Sequence, residues 1–333
     1  MDDFPTLTAA DVKKASLKIG ADIVGIGPID RWKDVPEAEN PMAIMPRAKS
    51  VICIGFRIHR GTLRGAEEGT YFSAYTLSGF DDINRIVAPT AQRKLASFIE
   101  DYGYEAVPVM YYTKSLGANI GKPAVRPDGS LKPKPEINFN FRTGGVLCGV
   151  GEIGHSRMLL TPKFGPAQRI YFIITEAKLA ADPIVRGICD GCMKCVKHCP
   201  ANALKYEADD NIEIPNIVTI KRSSIDVIKC RLSHVAGGLS SYAPDDVAPY
   251  VKNIVNGTEY SAADGSPRPA LEDIENKVQR NVPYAASALK IFNSPSALCS
   301  KGCVRACLAH LSAEGKLNLK FRHQFREQGG DNA

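Results

Sequence analysis

The sequence predicts an α+β chain in two parts, a layered α/β domain over 1–180 and a cysteine-rich domain over 181–333. Three observations carry that expectation. Apolar, strand-sized runs alternate with helical patterns through the first half. Eight of the ten cysteines fall between Cys189 and Cys307. Four of them crowd into CDGCMKCVKHCP at 189–200, closed by Pro200. A length of 333 residues is enough for two domains.

The elements follow in order. Thr8 with Asp11 makes a capping-box start for TAADVKKASLKIG, and Gly20 stops that helix. Apolar strands are expected at ADIVGIG (21–27), SVICIGF (50–56), EAVPVMYY (105–112) and RIYFIIT (169–175). Between the second and third strands, Leu95, Phe98, Ile99 and Tyr102 share one helical face, and Gly103 ends the helix. Such a domain is large enough to hold a bulky cofactor. Gly149, Gly151 and Gly154 in GVGEIG match G-x-G-x-x-G, yet the preceding RTGGVLCG reads as a flexible approach rather than a strand. The dinucleotide fingerprint therefore lacks its context. The glycines predict a backbone that turns with positive φ or closely approaches something. A flat tetrapyrrole, a flavin and a tight turn under a core helix all satisfy that.

Composition is ordinary for a globular chain, with 44% hydrophobic and 23% charged residues. The longest apolar runs, such as IYFIIT at 170–175, are strand-sized and too short to cross a bilayer, so no membrane partner is expected. The net charge of +6 is spread, and its densest stretches, RPDGSLKPKP (126–135) and KFRHQFR (320–326), read as solvated surface. MDDFPTLTAADV holds no basic region, apolar stretch or twin arginine, so a cytoplasmic location is expected. Reducing conditions argue against disulfides. Cys53 and Cys148 sit in apolar segments without a neighbouring thiol and read as small buried residues.

Cys189, Cys192, Cys195 and Cys199 are spaced C-x2-C-x2-C-x3-C, the bacterial ferredoxin run. Two-residue gaps wrap the backbone so that three sulfurs converge on one 4Fe–4S cubane. The longer gap and the proline send Cys199 the opposite way. Zinc prefers separate C-x2-C pairs, and a redox disulfide needs only two cysteines. Cys230, Cys299, Cys303 and Cys307 bring the total to eight, enough for two cubanes. By ferredoxin logic Cys307 returns to the first cluster, while Cys199, Cys230, Cys299 and Cys303 hold the second. His198 is left as a solvated neighbour. Clusters carry electrons, so the chemistry on a substrate needs a further centre.

The order GADIVGIG, PRAKSVICIGF, GVGEIGHSRMLLTPKFGP, CDGCMKCVKHCPANAL and KCRLSH (229–234) resembles the cobalamin-dependent iron–sulfur reductases, over about residues 16–310. That family includes reductive dehalogenases and epoxyqueuosine reductases. The resemblance implies a nitroreductase-like, corrinoid-binding domain over 1–180. It implies a ferredoxin-like double 4Fe–4S domain over 181–333, from which this chain departs by an inserted segment at 235–295. The insertion's Gly, Ser and Pro content suggests a lid or interface element. The chain lacks D-x-H-x-x-G, so cobalamin is expected base-off with no histidine beneath the metal. FMN is the alternative guest. Two departures stand out: the last cysteine block is C-x3-C-x3-C without a proline, and KPEINFNFRTGG replaces the D-x-G-P stretch of epoxyqueuosine reductases.

Reductive cleavage also needs a proton donor and a holder for the leaving anion. Tyr75, Tyr111 and Tyr112 are the tyrosine candidates, with Tyr75 and Tyr112 foremost, and Arg142 is the basic candidate. Gly149, Gly151, Glu152, Gly154 and His155 are the expected cofactor-binding residues. The expected function is a reductive dehalogenase-like oxidoreductase that passes electrons through two clusters to a corrinoid and cleaves a small organic substrate. Ferredoxin or flavodoxin would supply the electrons. The alternatives are an epoxyqueuosine reductase-like enzyme acting on transfer RNA, a less favoured partner, and a non-catalytic electron-transfer or corrinoid-handling protein.

Overall fold

The computed structural model describes residues 4–68, 74–109, 137, 139–199, 202–214, 217–226, 230 and 302–323. Helix α1, Ala9–Lys18, begins on a complete capping box in which Thr8 and Asp11 satisfy each other's backbone amides. Gly20, at φ 98°, turns the chain out of α1 and toward β1, Ile23–Pro28. After α2 (Pro41–Ile44), β2 (Ser50–Arg57) runs antiparallel to β1, from Ile23 opposite Gly55 to Pro28 opposite Ser50. Helix α3 (Arg60–Glu68), a π-helical stretch (Tyr75–Val87) and α4 (Ala88–Glu100) lead to β3 (Ala106–Val109). Then come α5 (Phe141–Leu147), the β4 (Glu152–Ile153) and β5 (Leu159–Leu160) hairpin, and β6 (Gln168–Thr175). The result is a four-stranded antiparallel sheet of order β1-β2-β6-β3 within a mixed α/β architecture.

The central strands β2 and β6 are apolar on both faces, and the two-residue period sorts their side chains into two layers. Ile52, Ile54, Tyr171 and Ile173 pack with Val12 of α1 and with Leu95 and Ile99 of α4. Val51, Cys53, Phe172 and Ile174 pack with Trp32, Leu147 and Cys148 on the other side. Burying a side chain such as Phe172 contributes on the order of 3 kcal/mol. Gln92 is a buried polar exception on α4: its Nε2 donates to the carbonyls of Val109 at 2.9 Å and Phe172 at 2.8 Å, a residue pair matched across β3 and β6. Gln92→Leu keeps the shape but leaves those carbonyls without this donor. A loss of about 2 kcal/mol in denaturant unfolding is expected.

Two elements differ from the sequence expectation. RTGGVLCG does not form a flexible approach; most of it lies in α5, capped by the Asn140 side chain, which accepts from the Thr143 amide. The paired glycines lower helix propensity, but they let α5 sit against the sheet: a Cβ on Gly144 would lie 2.9 Å from the Phe172 ring. The strand expected over 105–112 is observed over Ala106–Val109, and 110–112 lie outside the described residues.

Past β6 the chain is pinned to the sheet by Asp182. Its carboxylate accepts from Lys13 Nζ at 2.6 Å and from the Ile26 amide at 2.9 Å, while Arg31 donates to its carbonyl at 2.7 Å. Helix α6 (Lys194–Lys197), the hairpin of β7 (Asp210–Ile214) and β8 (Val218–Arg222), and α7 (Cys303–Ala313) follow. Leu308 and Leu311 of α7 join the same core as Ile54, so the cysteine-bearing helix is anchored to the sheet layer. No described helix is long and apolar enough to cross a membrane.

Candidate metal centre

The cysteine loop is built by a carboxylate and by backbone handedness. Glu152 on β4 accepts the Gly187 amide at 2.8 Å and also the Cys189 amide, fixing the approach to the first cysteine. Gly187 (φ 82°), Gly191 (φ 71°) and the non-glycine Met193 (φ 58°) all adopt left-handed backbone, which curls the loop before α6 begins. Cys303 and Cys307 lie one helical turn apart on α7, a spacing that puts them on one face. Cys189, Cys192, Cys195 and Cys307 line a single pocket, floored by Leu160 and flanked by His310. Thus three loop cysteines meet one from the far end of the chain.

Electrostatics make this gathering costly for bare thiolates. Burial, then the proximity of Cys303, Cys189 and Cys192, pushes the Cys195 thiol up to about 12. Burial and then the charges of Cys189, Cys195 and Cys192 push Cys307 well above its ordinary value. Buried thiols whose ionisation neighbouring sulfurs oppose, as at Cys195 and Cys307, fit a cationic metal centre, which deprotonates its ligands outright. A 4Fe–4S cubane suits this donor set by number and type. Buried Cys148 instead lies 3.3 Å from the Val51 carbonyl in the sheet core.

The remaining described sulfurs do not line this pocket. Cys199 follows α6, is absent from the pocket lining, and accepts from the Ala203 amide at 3.3 Å. Cys303 packs against the small cluster of Cys195, Val196 and Leu204. Cys230 is half-buried, with its amide donating to the Asp226 carbonyl at 3.0 Å. Cys299 lies outside the described residues.

The glycine segment makes its close approaches within the protein. A Cβ on Gly149 (φ 71°) would sit 2.3 Å from the Pro183 carbonyl oxygen, and one on Gly151 only 2.0 Å from that of Leu160. On the side where a Cβ would stand, the space beside these two glycines is filled by backbone. Gly154 instead adjoins the metal pocket, since a Cβ there would lie 3.5 Å from Cys189 Sγ. His155 is buried, lines that pocket, and engages the Lys205 carbonyl through Nε2 at 2.8 Å. Glu152→Ala would leave two loop amides without their acceptor, at about 1–3 kcal/mol. Iron release to a ferrous chelator is expected to be several-fold faster in that variant.

Tyr75, read from a polar stretch, is buried in the helical layer with its hydroxyl 3.5 Å from an Arg169 nitrogen. Tyr112 lies outside the described residues. Arg142, the basic candidate, is exposed in the first turn of α5, and its positive charge is felt at Arg222. Arg222 and Arg157 share the Asp210 carboxylate at 2.9 and 2.5 Å. Sequence reasoning passed over Asp190, His310 and Lys316, which meet beside the pocket. The available signal was Cys303, Cys307 and His310 at helical spacing on α7.

No family model matches the chain. It is 40% identical over 227 residues to a tetrachloroethene reductive dehalogenase of Dehalobacter restrictus, covering 61% of this chain and 40% of that protein. An epoxyqueuosine reductase of Bacillus cereus is 25% identical over 177 residues, covering 51% of this chain and 40% of the relative. The chain thus spans about 40% of the length of these curated relatives. Among solved structures, a catabolic reductive dehalogenase superposes with a TM-score of 0.47 at 18% identity, over 81% of this chain and 36% of the other. Epoxyqueuosine reductase from Bacillus subtilis gives a TM-score of 0.40 at 14% identity, over 92% and 82% of the two chains. The sequence similarities support the family resemblance read from the cysteine and glycine motifs.

Proposed function

We propose that this chain is an iron–sulfur oxidoreductase of the reductive dehalogenase-like kind, passing electrons through two 4Fe–4S clusters toward a corrinoid. The observation that carries the reading is the meeting of Cys307 with Cys189, Cys192 and Cys195 around one pocket. Those four would hold the inner cluster. Cys199, Cys230, Cys299 and Cys303 would hold the second. Cys303 sits one turn from Cys307, so α7 would serve both clusters and keep them adjacent. In domain terms, residues 1–180 form a nitroreductase-like part and 181–333 a ferredoxin-like part with an insertion at 235–295.

The net reaction replaces a carbon–halogen bond by carbon–hydrogen, consuming two electrons and a proton and releasing halide. The bound corrinoid would supply the bond-breaking chemistry, while the protein supplies binding, orientation and electrostatics. The chain's own contribution that the described residues carry is at the clusters. Glu152 orders the loop amides, α7 delivers the last thiolate, and the apolar wall of Leu160 and Leu311 screens the pocket from water. An outside donor such as ferredoxin or flavodoxin would load the clusters. Tyr112 remains the proposed proton donor and Arg142 the proposed anion holder, with Tyr75 less suited because it is buried among the helices.

The test is anaerobic turnover. Protein reconstituted with cobalamin and reduced by dithionite should release halide from a chlorinated ethene or a halophenol. Halide release no faster than in a protein-free cobalamin control contradicts the dehalogenase reading. A flavin in place of the corrinoid would appear directly in the visible spectrum. One feature favours a second, epoxyqueuosine reductase-like reading: the exposed Arg142 lies close enough to Arg222 for their charges to interact, beside the Arg157–Asp210–Arg222 ion pairs. Affinity for transfer RNA that falls steeply with salt would favour it.

A further inference from the structure

We propose that Asp190, His310 and Lys316 form a charged clamp that sets the reduction potential of the cluster held by Cys189, Cys192, Cys195 and Cys307. The inference rests on the four-thiolate reading of that pocket and adds to it the groups that tune the centre. Asp190 directly follows the first cysteine, and its carboxylate ties three segments together. His310 Nε2 lies 2.8 Å from Oδ2, and Lys316 Nζ donates to the same oxygen at 2.8 Å. Oδ1 accepts the Cys192 amide at 3.2 Å. An ionised carboxylate only accepts, so Nε2 carries the proton in this pair.

The clamp is built into the site. His310 is 8% exposed, lies on α7 three residues beyond Cys307, and lines the pocket together with Asp190. Its Nδ1 is buried without a hydrogen-bond partner among the described residues. Lys316 reaches back from just past Gly315, whose φ of 66° turns the chain after α7. The Lys316 ammonium, the His310 ring and the Cys192 amide all converge on this one carboxylate. A carboxylate thus lies against the Cys192 amide, and the ammonium paired with it is felt at Cys189.

Reduction adds negative charge to a cluster. Asp190 opposes that step and Lys316 favours it, so their removal must act with opposite signs. Asp190 and Lys316 are themselves exposed, so solvent screens each charge and the one-electron equilibrium is expected to change by at most about tenfold, or ~59 mV. A clamp that merely held α7 in place would instead lower iron content in both variants alike.

The experiment is an EPR-monitored redox titration of the full chain, prepared anaerobically. The cluster in question is identified by the signal lost in Cys307→Ala. Asp190→Asn should raise its midpoint potential and Lys316→Met should lower it, with iron content unchanged. Potentials that agree in all three proteins, or that move in the same direction, overturn the proposal. Iron loss in both variants overturns it too, leaving the clamp a structural tie. If Asp190→Asn fails to fold, the partly exposed Lys316 still decides through the sign of its shift. Wild-type protein without any cluster signal refutes the underlying four-thiolate reading instead, a distinct outcome.

Discussion

Replacing Cys307 by alanine is expected to cut iron from roughly eight to about four atoms per chain while leaving the second cluster in place. The effect is large because Cys307 is the one pocket thiol that does not come from the loop. Without it, Cys189, Cys192 and Cys195 hold only three corners of a cubane. Dehalogenation driven by an external donor should fall to background, since the inner step of the electron path is gone. Iron assay and EPR on anaerobic protein check this. Unchanged iron would remove Cys307 from the ligand set. Cys148→Ala is the matched control: that thiol is buried in the sheet core, so iron content should not change.

Gly151→Ala is expected to damage the fold rather than a cofactor site. The added methyl would stand 2.0 Å from the Leu160 carbonyl oxygen, a backbone atom that cannot swing aside. Either the β4–β5 hairpin opens or Glu152 shifts away from the loop amides it caps. Overpacking of this severity costs about 3 kcal/mol, which lowers the thermal midpoint by on the order of 6 °C. Iron content should fall along with it. A variant of unchanged stability that loses only its corrinoid would contradict the assignment and restore the cofactor-facing reading of the glycines.

What was legible in the sequence divides by the range of the forces involved. The start of α1 could be read directly, because Thr8 and Asp11 satisfy each other's amides within one turn. The strands around Ile52 and Ile173 were also legible, since only a sheet covered on both faces accommodates such continuous apolar runs. Helix α5 was not. Its Gly144–Gly145 pair lowers local propensity, and the helix persists through a side-chain cap at Asn140 and packing on Phe172. The same limit applies to Gly149 and Gly151. Sequence reveals that backbone must come close to something, but only the folded chain reveals that the partners are Pro183 and Leu160.

The site divides the same way. Two-residue gaps between Cys189, Cys192 and Cys195 are local geometry and could be read from spacing alone. The left-handed Met193 that completes their turn carries no sequence mark, because a non-glycine residue is rarely chosen for that conformation. Asp190 carries no local mark, because its partners His310 and Lys316 come from the far end of the chain. Arg142 directly follows Phe141 in the sequence, yet helix periodicity turns it outward to solvent.

Metal counting tests the central claim most directly. Full-length chain purified without oxygen and supplied with cobalamin should carry about eight irons and one cobalt, measured on the same sample. Four irons per chain, or zinc in their place, would contradict the paired clusters and the electron path built on them.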